Sequence, residues 1–223
     1  MIRLNESAPD FTANSTQGPL QLSDYRGKWV VFFSHPGDFT PVCTSEFVSF
    51  ARRNSEFEQL NCRLIGLSVD SVHAHIAWSL NIQEKFGVKI PFPIIEDISM
   101  QVSSLYGMIQ PAASHTATVR SLFVIDDQGI LRAILAYPMT TGRSVSEVLR
   151  LVRALQSADK NEAATPEGWQ PGDPVILGAP STLAEAEARA AQAPNSGLDC
   201  TEWYYCKKSL KDEPKTPKEK KAA

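Results

Sequence analysis

Nowhere in its 223 residues does the chain string together eighteen consecutive apolar residues, so it offers no membrane-spanning helix. The opening "MIRLNESAPDF" lacks the apolar core of a secretory signal, and the reading is a cytoplasmic protein with no membrane partner. Cysteine is scarce as well: four residues are too few for a secreted disulfide framework, and in a reducing compartment sparse thiols are structural, metal-binding or redox-catalytic. Positive charge has no surplus. Twenty-two Lys and Arg stand against twenty-five Asp and Glu, a net charge of -3, which argues against nucleic acid as the main partner because phosphate binding needs a concentrated basic face. The remaining composition, 43% hydrophobic and 21% charged, suits an ordinary globular domain with an extension.

Periodicity supplies the organisation. "WVVFFS" (Trp29 to Ser34) and "CRLIGLSV" (Cys62 to Val69) read as buried strands, with Phe47, Phe50, Ala51, Phe57 and Leu60 between them at helical spacing. Strand, helix, strand predicts a parallel crossover. A helix over Ser71 to Phe86 ends at Gly87, "PFPIIED" gives a further strand, and "SMQVSSLYG" a short helix closed by Gly107. "TVRSLFVID" and "ILRAILAY" flank "DQG" as a hairpin, and "SVSEVLRLVRALQSA" is an amphipathic helix that opens at Ser144. An α/β domain over 1–160 is therefore expected, followed by an arm over 161–223. The arm opens with "TPEGWQPGDPVILGAP", whose four prolines and three glycines force irregular chain.

The segment "HPGDFTPVCTSEF", His35 to Phe47, puts a thiol where a strand gives way to a helix. A cysteine in a first helical turn lies near free N–H groups and the positive end of the helix dipole, which favour the thiolate, the nucleophilic form. Thr40 is placed to offer its hydroxyl to the sulfur or to a substrate oxygen, and Pro36 to restrict the loop. Free cysteine is also among the most buried residue types, so a packing role competes with the reactive one. His35 either donates a hydrogen bond at the site or is a solvated or structural strand-end histidine. His73 and His75 form an H-x-H pair that does not share one helical face, which argues against a metal site there. Cys62, at the head of an apolar strand, reads as core.

Pro36, Thr40 and Cys43 match the proline, three residues, threonine or serine, two residues, cysteine pattern of the peroxiredoxin active-site loop, and the chain resembles that family. The likeness runs from "APDF" through "FFSHPGDFTPVCTSEF", "RSLFVID", "YP", "TGR" and "TPEGWQPGD", and points to the subfamily with a long C-terminal extension. It implies a thioredoxin-like α/β fold whose extension mediates dimerisation, and reduction of hydrogen peroxide and alkyl hydroperoxides through a sulfenic acid on Cys43, with no metal or organic cofactor. It makes Arg120 the arginine that pairs with the thiolate and contacts the peroxide. Arg143 matches a second family arginine; read from the residues alone, it is equally a helix-start residue held by a carboxylate such as Glu46.

By the same resemblance Cys206, in "DCTEWYYCKK", resolves the sulfenic acid of Cys43 across a dimer interface. Cys200 then exchanges with Cys206 and passes electrons on to a thiol reductant such as a thioredoxin-like protein. Two incidental thiols on a tail, or a zinc half-site, are the competing readings of this pair. Dimers are expected to assemble into rings, commonly decamers. A redox-sensing holdase chaperone is the rival function, and a Lys-rich tail from Lys207, with seven lysines against three acids, is a rival binding element for acidic surfaces. Relatives with a lipase-like "GDSWG" motif differ from this chain, which reads "RGKWV" with Lys28 at the serine position, so phospholipase activity is not expected.

Overall fold

A computed structural model describes residues 2–193 and 196–210. By internal contacts the chain forms two compact units, Met1–Val145 and Ser146–Ala223, while the composition changes near Lys160. The Lys-rich tail beyond residue 210 lies outside the described residues. Among the described residues no helix is long and apolar enough to cross a membrane.

In the first unit, β1 (Thr12–Ala13) and β2 (Leu20–Gln21) form a small antiparallel pair. Five further strands make the main sheet. β3 (Trp29–Ser34) is followed by α1 (Pro41–Arg52) and α2 (Asn54–Gln59), then by β4 (Cys62–Ser68), α3 (Val72–Phe86), β5 (Ile94–Glu96), α4 (Gln101–Leu105), β6 (Arg120–Ile125) and β7 (Leu131–Tyr137). The order β5-β4-β3-β6-β7 keeps β3, β4 and β5 parallel, with β6 and β7 antiparallel beside them.

All six residues of β3 are buried, which explains why "WVVFFS" shows no alternation: both faces of this central strand are covered. Alternation instead sends neighbouring side chains to opposite sides. Phe32 packs edge-on to Tyr106 at 5.0 Å between ring centroids, and Phe11 and Phe123 join it. Phe33 stacks on Phe50 of α1 at 4.5 Å and meets Phe47 and Phe92. The second cluster clamps α1 to the sheet. Gly66 of β4 makes room for it, because a Cβ there would stand 3.1 Å from Phe47 Cζ.

Local signals explain most boundaries. Ser71 caps α3 by accepting the Ala74 N–H, and Gly87 ends it in the left-handed region at φ 66°. In the β6–β7 hairpin Asp126 Oδ1 accepts the N–H groups of Gln128 and Ile130. The single helical face expected from Phe47 to Leu60 is broken at Arg53, whose backbone (φ -107°, ψ 10°) leaves helical geometry and whose guanidinium turns to Glu56, 2.7 Å away.

The second unit holds nearly all of α5 (Val145–Asn161), then β8 (Val175–Ile176), α6 (Leu183–Gln192), β9 (Asp199–Glu202) and β10 (Tyr205–Lys208). Val148, Leu149 and Val152 on the predicted face of α5 are buried. The proline-rich stretch folds around Trp169, which is 1% exposed and donates its indole N–H to Asp173 O. Thr182 and Glu185 form a reciprocal capping box at the start of α6, and β10 runs between β8 and β9 in a three-stranded sheet.

Candidate active site

Thr40 is the N-cap of α1, Pro41 its first residue and Cys43 its third helical position. Pro41 has no N–H to leave unpaired, so the free amides of this end belong to Val42 and Cys43. The Thr40 hydroxyl donates to Gly37 O at 2.8 Å, which leaves its lone pairs as acceptors. Phe39, just before the cap, is an exposed aromatic at φ 55°, a conformation costly for a bulky side chain and held by the loop around it. Pro36 lies half-buried in the same loop.

Cys43 is fully buried, yet it is not surrounded only by hydrocarbon. Arg120 reaches it from β6, with Nη1 3.3 Å from Sγ. The same Nη1 donates to Glu46 Oε2 at 2.7 Å, while Nε and Nη2 both donate to Met139 O. Glu46 sits one turn after Cys43 and also takes Arg143, whose Nε, Nη2 and backbone N–H all donate to its carboxylate at 2.7 to 2.9 Å. Arg143 Nη1 donates to Ser121 O, and its guanidinium lies over the Phe33 ring. Burial opposes ionisation of Glu46, but the hydrogen bonds and charge of Arg143, with the charge of Arg120, outweigh it and hold the carboxyl below its ordinary range.

A second buried network lies behind the loop. Asp38 bridges two histidines: Oδ1 meets His35 Nε2 at 2.8 Å and Oδ2 meets His75 Nδ1 at 2.7 Å, while His75 Nε2 donates to Ile95 O. His35 stacks on Trp78 and leaves Nδ1 buried without a partner. Burial pushes His35 below its ordinary value and keeps it neutral, more strongly than Asp38 pulls the other way. Asp38 resists burial through its two histidine hydrogen bonds and titrates below the usual carboxylate range. These three side chains are the one group among the described residues with metal-ligand chemistry at close range. Asp38 bridges the two imidazoles at hydrogen-bond distance, so the arrangement is a hydrogen-bonded network.

The other thiols divide sharply. Cys62 is buried in β4 and burial pushes its thiol up to about 12, an inert core residue. Cys200 and Cys206, facing each other across β9 and β10, form a disulfide.

Comparison with known proteins completes this picture. Residues 4–134 match the model of the AhpC/TSA family, and residues 154–192 match the C-terminal domain of 1-Cys peroxiredoxin. A peroxiredoxin of Aquifex aeolicus is 53% identical over 219 residues, covering 93% of this chain and 97% of its own length. The chain belongs to the peroxiredoxin family. Peroxiredoxin 2 of Caldanaerobacter subterraneus is 52% identical over 208 residues, with 93% of each chain covered. Among solved structures, a yeast mitochondrial 1-Cys peroxiredoxin aligns at a TM-score of 0.81 with 39% identity, over 94% of this chain and all of the other. The C45S variant of peroxiredoxin 6 of Arenicola marina aligns at 0.82 with 33% identity, over 95% of this chain and all of the other. The fold is the thioredoxin-like α/β fold with a C-terminal extension, and the chain is a peroxiredoxin-type thiol-dependent peroxidase, an oxidoreductase.

Within that family frame, the structure brings Thr40, Cys43, Arg120 and Arg143 into one unit, with Pro36 and His35 in the adjoining loop. Glu46, considered in the sequence only as a partner of Arg143, also fixes Arg120. Asp38 and His75 were missed as a pair. The H-x-H spacing carries no signal of it, because the partner of His75 is Asp38, 37 residues upstream on the loop.

Proposed function

We propose that Cys43 is the peroxidatic nucleophile of this peroxidase. The contact of Arg120 Nη1 with Cys43 Sγ at 3.3 Å carries the reading. Arg120 and Arg143 bring two positive charges and Glu46 one negative, so the buried cluster is left with one positive charge that a Cys43 thiolate balances. That thiolate attacks one oxygen of a hydroperoxide ROOH. The O–O bond breaks, Cys43 becomes a sulfenic acid, and RO⁻ leaves as ROH once it takes a proton. Thr40 accepts a hydrogen bond from the peroxide hydroxyl, while Arg120 and the Cys43 N–H face the developing oxyanion. Pro36 and His35 wall the loop.

Recovery runs through the arm. Cys206 of the partner subunit condenses with the Cys43 sulfenic acid and releases water. Cys200 then attacks Cys206, which returns Cys43 as a thiolate and leaves the Cys200–Cys206 disulfide for a thiol reductant. The cross-strand pairing of these two cysteines supports the last species in that sequence. The yeast relative is described as a 1-Cys enzyme resolved through glutathione/thioredoxin systems; here the second and third thiols lie within the chain. Association of two chains into a dimer through the arm, and of dimers into rings of ten subunits, belongs to the same reading, as does a cytoplasmic location. The family match does not favour the holdase alternative. Replacing Cys43 with serine tests the core of the proposal: peroxide consumption should fall to the buffer rate, and a variant that still consumed peroxide would refute it.

A further inference from the structure

The Cys200–Cys206 disulfide is chemically symmetrical but sterically lopsided. β10 is the middle strand of its sheet, with its backbone paired to β8 on one side and β9 on the other, and Cys206 on it is fully buried. Leu177 N–H donates to Cys206 O, and Cys206 Sγ lies 3.5 Å from Glu202 O. Cys200 sits on β9, the edge strand, and is only partly buried. A cleft of about 410 Å³ between the end of α6 and β9 is lined by Ala190, Ala193, Leu198, Cys200 and Trp203 together with the acidic Asp199 and Glu202; Cys206 does not line it.

We propose that this cleft is the docking site of a dithiol reductant protein, and that its nucleophilic cysteine attacks Cys200 and not Cys206. The inference rests on the recovery route above, in which the Cys200–Cys206 disulfide is the species reduced. Exchange requires the attacking thiolate to reach bonding distance of a sulfur. Cys200 is partly exposed and lines the cleft, whereas Cys206 is fully buried and does not.

The step balances as follows. The reductant thiolate forms a bond to Cys200 Sγ, the Cys200–Cys206 bond breaks, and Cys206 leaves as a thiolate that takes up a proton. The second thiol of the reductant then attacks its own mixed sulfur, releases Cys200 and departs as a disulfide. A monothiol cannot take that second step within one complex. Cys206, held opposite Cys200 at high effective concentration, re-forms the original disulfide before a second monothiol arrives. Asp199 and Glu202 in the lining also repel a free anionic thiol, whereas Trp203, which is 41% exposed, and the alanine and leucine residues suit the apolar surface of a protein. Attack at Cys200 frees Cys206, the thiol assigned to the next sulfenic acid, so the site of docking renews the resolving residue directly.

The test starts from protein oxidised with diamide, in which the Cys200–Cys206 disulfide is verified by peptide mass, so that it does not depend on peroxide turnover. The probe is a thioredoxin whose second active-site cysteine is replaced by serine, with iodoacetamide added to block any thiol set free. The expected product carries thioredoxin on Cys200 and carbamidomethyl on Cys206, at least tenfold over the reverse pattern. Thioredoxin linked chiefly to Cys206, or equally to both, overturns the proposal. A separate sample oxidised with one equivalent of peroxide reports on the recovery route itself: absence of the Cys200–Cys206 disulfide there would sink that route while leaving the site of attack measured.

Discussion

Arg120 is held by three different groups, and each fixes one part of the guanidinium. Met139 O takes Nε and Nη2, Glu46 takes Nη1, and what remains of Nη1 faces Cys43 Sγ. A lysine keeps the charge but cannot reproduce that planar fork. Arg120→Lys should therefore slow the oxidation of Cys43 by hydrogen peroxide by about a hundredfold, the scale of losing an aligned oxyanion donor. Stopped-flow single turnovers measure this, and a rate within a factor of three of the wild type would show that charge alone suffices.

At the same scale, His35, Asp38 and Glu46 all titrate below their ordinary values. For each, the unfolded chain binds a proton at a higher pH than the folded one does. Stability is then fully present above the unfolded value and is lost as pH falls. The urea midpoint should be level above about pH 6.5, decline below it as unfolded His35 charges, and fall more steeply below about pH 4 as the two carboxyls join. A midpoint unchanged from pH 7.5 to 4 would contradict the buried neutral histidine.

Among the elements, α1 owes its position to one absent side chain. Phe47 lies in the space over Gly66 that a Cβ would enter, and Phe47 is one turn on from Cys43. Gly66→Ala should push Phe47 outward, cost about 1–3 kcal/mol of unfolding free energy as overpacking does, and slow Cys43 oxidation because the helix carries both residues. Urea unfolding with the single-turnover assay checks this; full stability and full rate together would show that α1 is not seated by that contact. Much of this level is legible in the sequence. Apolar runs gave β3 and β4, Ser71 and Gly87 bounded α3, and the strand-to-helix position of Cys43 followed from "HPGDFTPVC". The break at Arg53 and the bridging of His35 and His75 by Asp38 were not legible. Both depend on side chains meeting after the elements have packed, and no local spacing records that.

Across the whole molecule, the proposed attack and the proposed recovery fall to different units of the chain. The first unit assembles Cys43 with Arg120, Arg143 and Glu46, and the second carries Cys200 and Cys206 on its own small sheet. The proline-rich change in composition falls near Lys160, whereas the two units divide after Val145, so nearly all of α5 groups with the second unit. The most direct test follows oxidation in time after one equivalent of hydrogen peroxide is added to the fully reduced protein, with peptide mass mapping of quenched samples. The account requires one added oxygen on Cys43 first, then an interchain Cys43–Cys206 link, with Cys62 unmodified throughout. Oxygen appearing first on Cys62, Cys200 or Cys206, or a Cys43 sulfenic acid that persists with no link to the arm, would contradict it.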